Sequence, residues 1–314
     1  MNEQHSTSIL GESIIKTLLY FDLFHYPLTA SEIFQYLQTN HTSEREVKVE
    51  LTALEKQSLI YNLGSFFSVE NNAELEVRRI QGNANASQSM QLALKQATLI
   101  SSFPFVRAVM ISGSLSKGYM DEKSDLDFFI VTENERLWIA RTLLVLYKRI
   151  FLSNSHKYFC VNYFVDSIHL EIEEKNLFTA TELATLIPVL EQGFYSTLLT
   201  TNKWLWSFFP NYTPRAIPRA SPSKETNRKK ALTEWVINRL FARQWNKFLM
   251  ALTQNRWNKK YQAKYAAPDF EVAFKTRKHV SKNHPNNYQR KIMELYKEKL
   301  NSFAKQHQLT WYHE

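Results

Sequence analysis

Ile111-Ser-Gly-Ser-Leu-Ser-Lys-Gly-Tyr119, followed after three residues by Lys123-Ser-Asp-Leu-Asp-Phe-Phe-Ile-Val131, is the stretch around which the chain is organised. The run Val106–Ser112 is apolar and rich in β-branched residues, which predicts a strand ending at Gly113-Ser114. Residues 126–131 predict a second strand, opened by Asp125 and Asp127. Side chains alternate along a strand, so the two carboxylates would share one face while Leu126 points into the core. Two carboxylates with water are the kind of oxygen donors that Mg²⁺ prefers. Gly113 would let the backbone approach a phosphate closely, and the Ser114 hydroxyl with neighbouring N–H groups would donate to phosphate oxygens.

Outward from this stretch, residues 87–101 and 137–151 have helical spacing. Residues 158–165 predict a third strand and 168–172 a fourth. Helices are predicted over 178–190 and 195–209, interrupted by Pro188 and Gly193 and ended by Pro210. Together these give a mixed α/β unit at 81–213. Before it, Ile14, Ile15, Leu18, Leu19, Phe21 and Leu23 predict a helix stopped by His25, Tyr26 and Pro27. Thr29 and Ser43 stand three residues ahead of Glu32 and Glu46, the spacing of a capping box, and so begin two more helices. Short strands on either side of Gly64 follow. Three helices and a hairpin within 1–80 resemble a winged helix-turn-helix. Beyond 213, Pro214, Pro218 and Pro222 mark a linker, and 227–265 and 288–303 predict helices. Leu232, Trp235, Val236, Leu240, Phe241, Trp245, Phe248, Leu249 and Leu252 predict one broad apolar face, expected to pack on the preceding domain.

Composition bounds the function. A chain of 314 residues with 44% hydrophobic and 14% aromatic side chains has apolar material for two or three domains and excludes long disorder. One cysteine excludes intrachain disulfides and Cys-based zinc clusters, and Cys160 is expected as a small buried residue. No run approaches the roughly 18 apolar residues of a membrane span, and the first residues lack a secretory pattern, so the expectation is a cytoplasmic protein with no membrane partner. The net charge of +9 is unevenly spread: Lys+Arg and Asp+Glu number 6 and 11 in residues 1–80, 11 and 12 in 81–213, and 22 and 7 in 214–314. The nets are −5, −1 and +15, so any grip on nucleic acid is expected from the basic last third.

On Gly113-Ser114, a ten-residue spacer and Asp125-Leu-Asp127 with apolar strands on both sides, the chain resembles the nucleotidyltransferase superfamily, which includes DNA polymerase beta, antibiotic adenylyltransferases and poly(A) polymerases. The likeness covers about residues 90–175. It implies an α+β fold: a mixed-sheet nucleotidyltransferase core (81–213) between an N-terminal winged helix (1–80) and a basic helical C-terminal region (214–314). It further implies an enzyme that transfers a nucleoside monophosphate from an NTP, with ATP the expected substrate, to an acceptor and releases pyrophosphate. Two Mg²⁺ ions would be held by Asp125 and Asp127. Gly113 and Ser114 would fix the phosphates, with Lys117 as countercharge.

The family pattern adds a third carboxylate on a neighbouring strand. The expected strand, 158–165, has Asn162 there, which cannot act as a base. Asp166 would supply the acid, with Glu171 and Glu173 as alternatives, or the acid is absent. Two other functions follow: an RNA nucleotidyltransferase or other nucleic-acid binder gripping through 214–314, and a catalytically weak nucleotide sensor, suggested by Asn162. The candidate recognition helix after Ser43 carries Glu44, Glu46, Glu50 and Glu55 against Arg45, Lys48 and Lys56, which predicts protein contact or packing in preference to DNA.

Overall fold

Ser8, Thr29 and Ser43 each turn a side-chain oxygen onto a free N–H group of the helix that follows, and thereby fix the starts of α1 (Ile9–Asp22), α2 (Ala30–Tyr36) and α3 (Glu44–Lys56). Both expected capping boxes are formed. This is a computed structural model, and it describes residues 7–39, 43–153, 155, 157–190, 193–216, 224–240, 242–283 and 288–311. The three helices close on Ile14, Ile33, Val47 and Leu51, and a hairpin of β1 (Tyr61–Leu63) and β2 (Phe66–Ser68) turns at Gly64. Leu28 bridges to Phe67, fastening the hairpin to the helices.

The next helix, α4 (Glu74–Ser101), begins thirteen residues before the predicted start and crosses the 80/81 boundary. Gly82, Asn83 and Asn85 are poor helix formers and hid it. Gly82 is needed there, because a Cβ would lie 2.2 Å from the Tyr119 ring packed on the helix.

The chain then lays down β3 (Val106–Ser112), the single turn α5 (Gly113–Ser116), β4 (Asp127–Thr132), α6 (Leu137–Phe151), β5 (Cys160–Asp166), α7 (Leu177–Thr185) and β6 (Ile187–Leu190). Residues 168–172 form a loop and not the fourth strand. Pro188 divides the predicted helix 178–190, and its last four residues become β6 at the sheet edge, where a missing N–H is tolerated. The helix expected over 195–209 is split into α8 (Phe194–Thr201) and α9 (Leu205–Phe208). Asn202 lies between them, and its buried amide binds Leu170 O, Leu198 O and Ile172 N.

After α10 (Lys224–Arg239) and α11 (Ala242–Tyr261) come a 3₁₀ turn (Gln262–Lys264), α12 (Ala267–Ala273), β7 (Thr276–Arg277), β8 (Val280–Lys282) and α13 (Tyr288–His307). The last third is therefore not only helical. β8 pairs with β5, and the sheet order is β6-β3-β4-β5-β8-β7, with β4–β5 parallel and the other pairs antiparallel. The protein is a mixed α+β fold on a mixed sheet. One face, through Val109, Ile111 and Phe128, packs on α4, α6 and Ala242 of α11. The other, through Met110, Phe129 and Val131, shares a core with α1–α3, α7–α9 and α13.

The predicted apolar face at 227–265 does not pack as expected. Leu232, Trp235, Val236, Leu240, Trp245, Phe248 and Leu252 are exposed, Leu249 is partly buried, and Phe241 lies outside the described residues. The inward sides carry other residues. Glu234 of α10 accepts from Phe105 N at 2.6 Å and Arg107 Nη1 at 2.8 Å. Asn246 Oδ1 of α11 accepts from Trp138 N at 2.9 Å, capping the start of α6.

Candidate functional site

Antiparallel pairing of β3 and β4 sets Ser112 opposite Asp127, so the end of one strand meets the start of the next. The chain leaves β3 through Gly113 at φ +66°, a left-handed conformation that disfavours any side chain. Space excludes one as well, since a Cβ would lie 2.3 Å from Asp127 Oδ2. Leu126 is buried, and its N–H and C=O bond Lys157 O and Cys160 N, both at 2.9 Å. The extended backbone therefore continues before β4, and Asp125 and Asp127 flank an inward Leu126, as the i, i+2 spacing predicts.

Asp127 is half-buried. Burial, with the nearby charges of Asp125 and Glu182, pushes its carboxyl up to about 6, against a hydrogen bond from the Cys160 thiol and the Lys117 charge. Cys160 is buried as expected, and burial beside Asp127 pushes its thiol well up, so that it stays a protonated donor. Ser114 is half-buried on the turn α5, where its C=O accepts from Lys117 N at 3.0 Å and Tyr119 N at 3.2 Å. Lys117 reaches the same place: its Nζ is 3.2 Å from Gly113 O and 2.7 Å from Glu182 Oε1 on α7.

Residues from elsewhere hold the turn. The Tyr26 hydroxyl donates to Lys117 O, Arg215 Nη2 donates to Ser116 O at 2.7 Å, and Met120 N donates to Gly82 O at 3.0 Å. The Arg78 guanidinium lies 5.0 Å from the Tyr119 ring centre. Glu182, Tyr26 and Arg215 are distant in sequence from the turn, and no spacing pattern ties them to it.

The third acid is not where it was sought. The β4–β5 register shifts between Phe128 and Phe129, and Asn162 sits at that bulge with Nδ2 3.3 Å from Asp127 Oδ1 and 2.8 Å from Cys160 Sγ. Asp166 pairs with Thr132 at the other end of the ladder, which at about 3.3 Å per residue puts it about 16 Å along the sheet from Asp127. It is buried and caps the following loop, accepting from Ile168 N, His169 N and His169 Nδ1. Glu171 pairs with Lys175, and Glu173 with Lys275 and Arg277. The structure thus brings together Gly113, Ser114, Lys117, Asp125 and Asp127 and leaves Asp166, Glu171 and Glu173 outside, while Glu182 adds a carboxylate beside Lys117.

Asp125 and Asp127 fit one Mg²⁺ ion, which is usually bound through one or two carboxylates with water and phosphate completing the octahedron. Among the described residues no three His, Cys, Asp or Glu side chains converge as a metal site. No protein-family model matches the chain, and no curated protein and no solved structure is significantly similar to it.

Proposed function

We propose that this chain is a Mg²⁺-dependent nucleotidyltransferase that transfers a nucleoside monophosphate from an NTP to an acceptor. On this reading the mixed sheet is a nucleotidyltransferase core, and the three helices with their hairpin are a winged helix working in the cytoplasm as a packing module. The observation that carries the reading is the contact of Gly113 with Asp127. A left-handed glycine with no room for a Cβ sits where the Gly-Ser turn and the Asp-x-Asp strand meet. Gly113 and Ser114 receive the phosphates, and Asp125 and Asp127 hold the ion, which when bound neutralises phosphate charge. Lys117 exchanges Glu182 for a phosphate oxygen. That exchange frees the Glu182 carboxylate for the role sought in Asp166, taking the acceptor's proton.

Asn162 beside Asp127 favours a second reading, a nucleotide sensor that binds Mg²⁺·NTP and turns it over weakly. Both readings are tested by incubating the protein with each radiolabelled NTP, Mg²⁺ and candidate RNA, protein and small-molecule acceptors. Label transfer that is lost in Asp127→Asn supports the enzyme, and its destination names the acceptor class. Mg²⁺-dependent NTP binding without transfer supports the sensor, and absence of binding defeats both.

A further inference from the structure

The outward sides of α10 and α11 are apolar in a way the fold does not use. Leu232, Trp235, Val236 and Leu240 on the first helix and its end, and Trp245, Phe248 and Leu252 on the second, are between 43 and 64% exposed. Their spacing of three or four residues makes a stripe on each helix. Such side chains present several hundred Å² together, as much as the largest apolar patch of a typical monomer. The Arg239 guanidinium stacks 4.7 Å from the Trp235 ring centre, and Trp245 meets Phe248 edge-on at 5.8 Å. At the end of the second stripe Leu252, Asn255, Arg256, Lys259 and Lys260 line a shallow open depression. Exposed Arg228 and Lys247 add to the flanks, while the acid with a described side chain here, Glu234, is turned inward onto Arg107.

We infer that this face docks on an anionic lipid surface, with the two helices lying in the plane of the headgroups. Charge decides among the occupants. A second copy would set the basic flanks of one face against those of the other. A nucleic acid would match the charge and could stack on Trp235, Trp245 and Phe248, but it offers Leu232, Val236, Leu240 and Leu252 no apolar phase to enter. A bilayer with acidic headgroups supplies both partners at once: acyl chains for the stripes and phosphates for the Arg and Lys heads, whose stems are long enough to reach outward. The face lies on surface contact and not on a span, for no helix among the described residues is long and apolar enough to cross a membrane. On this inference the expectation of no membrane partner would not hold.

The test is co-sedimentation of the full chain with vesicles of phosphatidylcholine and phosphatidylglycerol at 3:1, and with phosphatidylcholine alone, while the tryptophan emission is recorded. The full chain binds the anionic vesicles with a blue shift, and at least about tenfold less to the neutral ones. The double variant Trp235→Glu, Phe248→Glu loses at least about tenfold in partitioning while its melting temperature is kept, because both side chains face solvent. Several results would overturn the inference. They are no binding by the full chain, equal binding by the double variant, a concentration-dependent dimer that the variant abolishes, or retention on single-stranded RNA that depends on the stripes while vesicles are ignored.

Discussion

Gly113 and Gly118 share a left-handed backbone, with φ +66° and +71°, and differ in what surrounds them: Asp127 crowds the first, and nothing lies within 4 Å of a Cβ on the second. Gly118→Ala should therefore cost about 1 kcal/mol, the strain of the conformation alone. Gly113→Ala should cost more than that and displace Asp127, which thermal melts with and without Mg²⁺·ATP will separate. Asp127 carries its own pH signature. Burial raises its carboxyl from the ordinary value of 3.8 to about 6, so between those values the folded state holds a proton that the unfolded chain has lost. Its contribution to stability is full below about pH 4, falls as pH rises through about 6, and stays lost above. Asp127→Asn should remove that slope and raise the melting temperature of the ligand-free protein at pH 7.5, while Mg²⁺ affinity of the parent weakens below about pH 6. The Gly113, Ser114, Asp125 and Asp127 cluster was legible in the sequence because turn chemistry and strand alternation are local rules. Glu182 was not, since only tertiary packing brings α7 to Lys117.

Among elements, β3 and α6 begin and end where their patterns predict, since each has one period and a clear stop. β6, β7 and β8 are two to four residues long and acquire strand character only by pairing with longer neighbours, so no periodicity announces them. The bulge at Asn162 is likewise a property of the β4–β5 pair. The contact of α1–α3 with the site turn runs through Tyr26, whose hydroxyl donates to Lys117 O. Tyr26→Phe should cost about 1 kcal/mol and loosen the turn, seen as faster amide hydrogen exchange at 113–119. Glu182→Gln and Asp166→Asn part the two candidate acids: the first should abolish transfer while NTP binding is retained, and the second should lower stability while binding and transfer persist in the folded fraction.

At the scale of the molecule, the acidic first part and basic last part are not separate modules. α13 packs on α1 and α7, the Tyr296 hydroxyl donates to Lys16 O at 3.1 Å, and Lys299 pairs with buried Asp22. Lys299→Met leaves that carboxylate without its cation and should cost about 1–3 kcal/mol by denaturant titration. Charge counts along the chain distinguish these parts as sequence, yet folding returns the last helix to the first core, which no linear pattern records. Titration calorimetry decides whether Gly113 and Asp127 build a Mg²⁺·NTP site. Each NTP is titrated into the intact chain with Mg²⁺, into the same chain with EDTA, and into Asp127→Asn. A Mg²⁺·NTP site at this turn gives saturable binding of at least one NTP that disappears with EDTA and in the variant; binding unchanged by either, or none to any NTP, would show that no such site exists there.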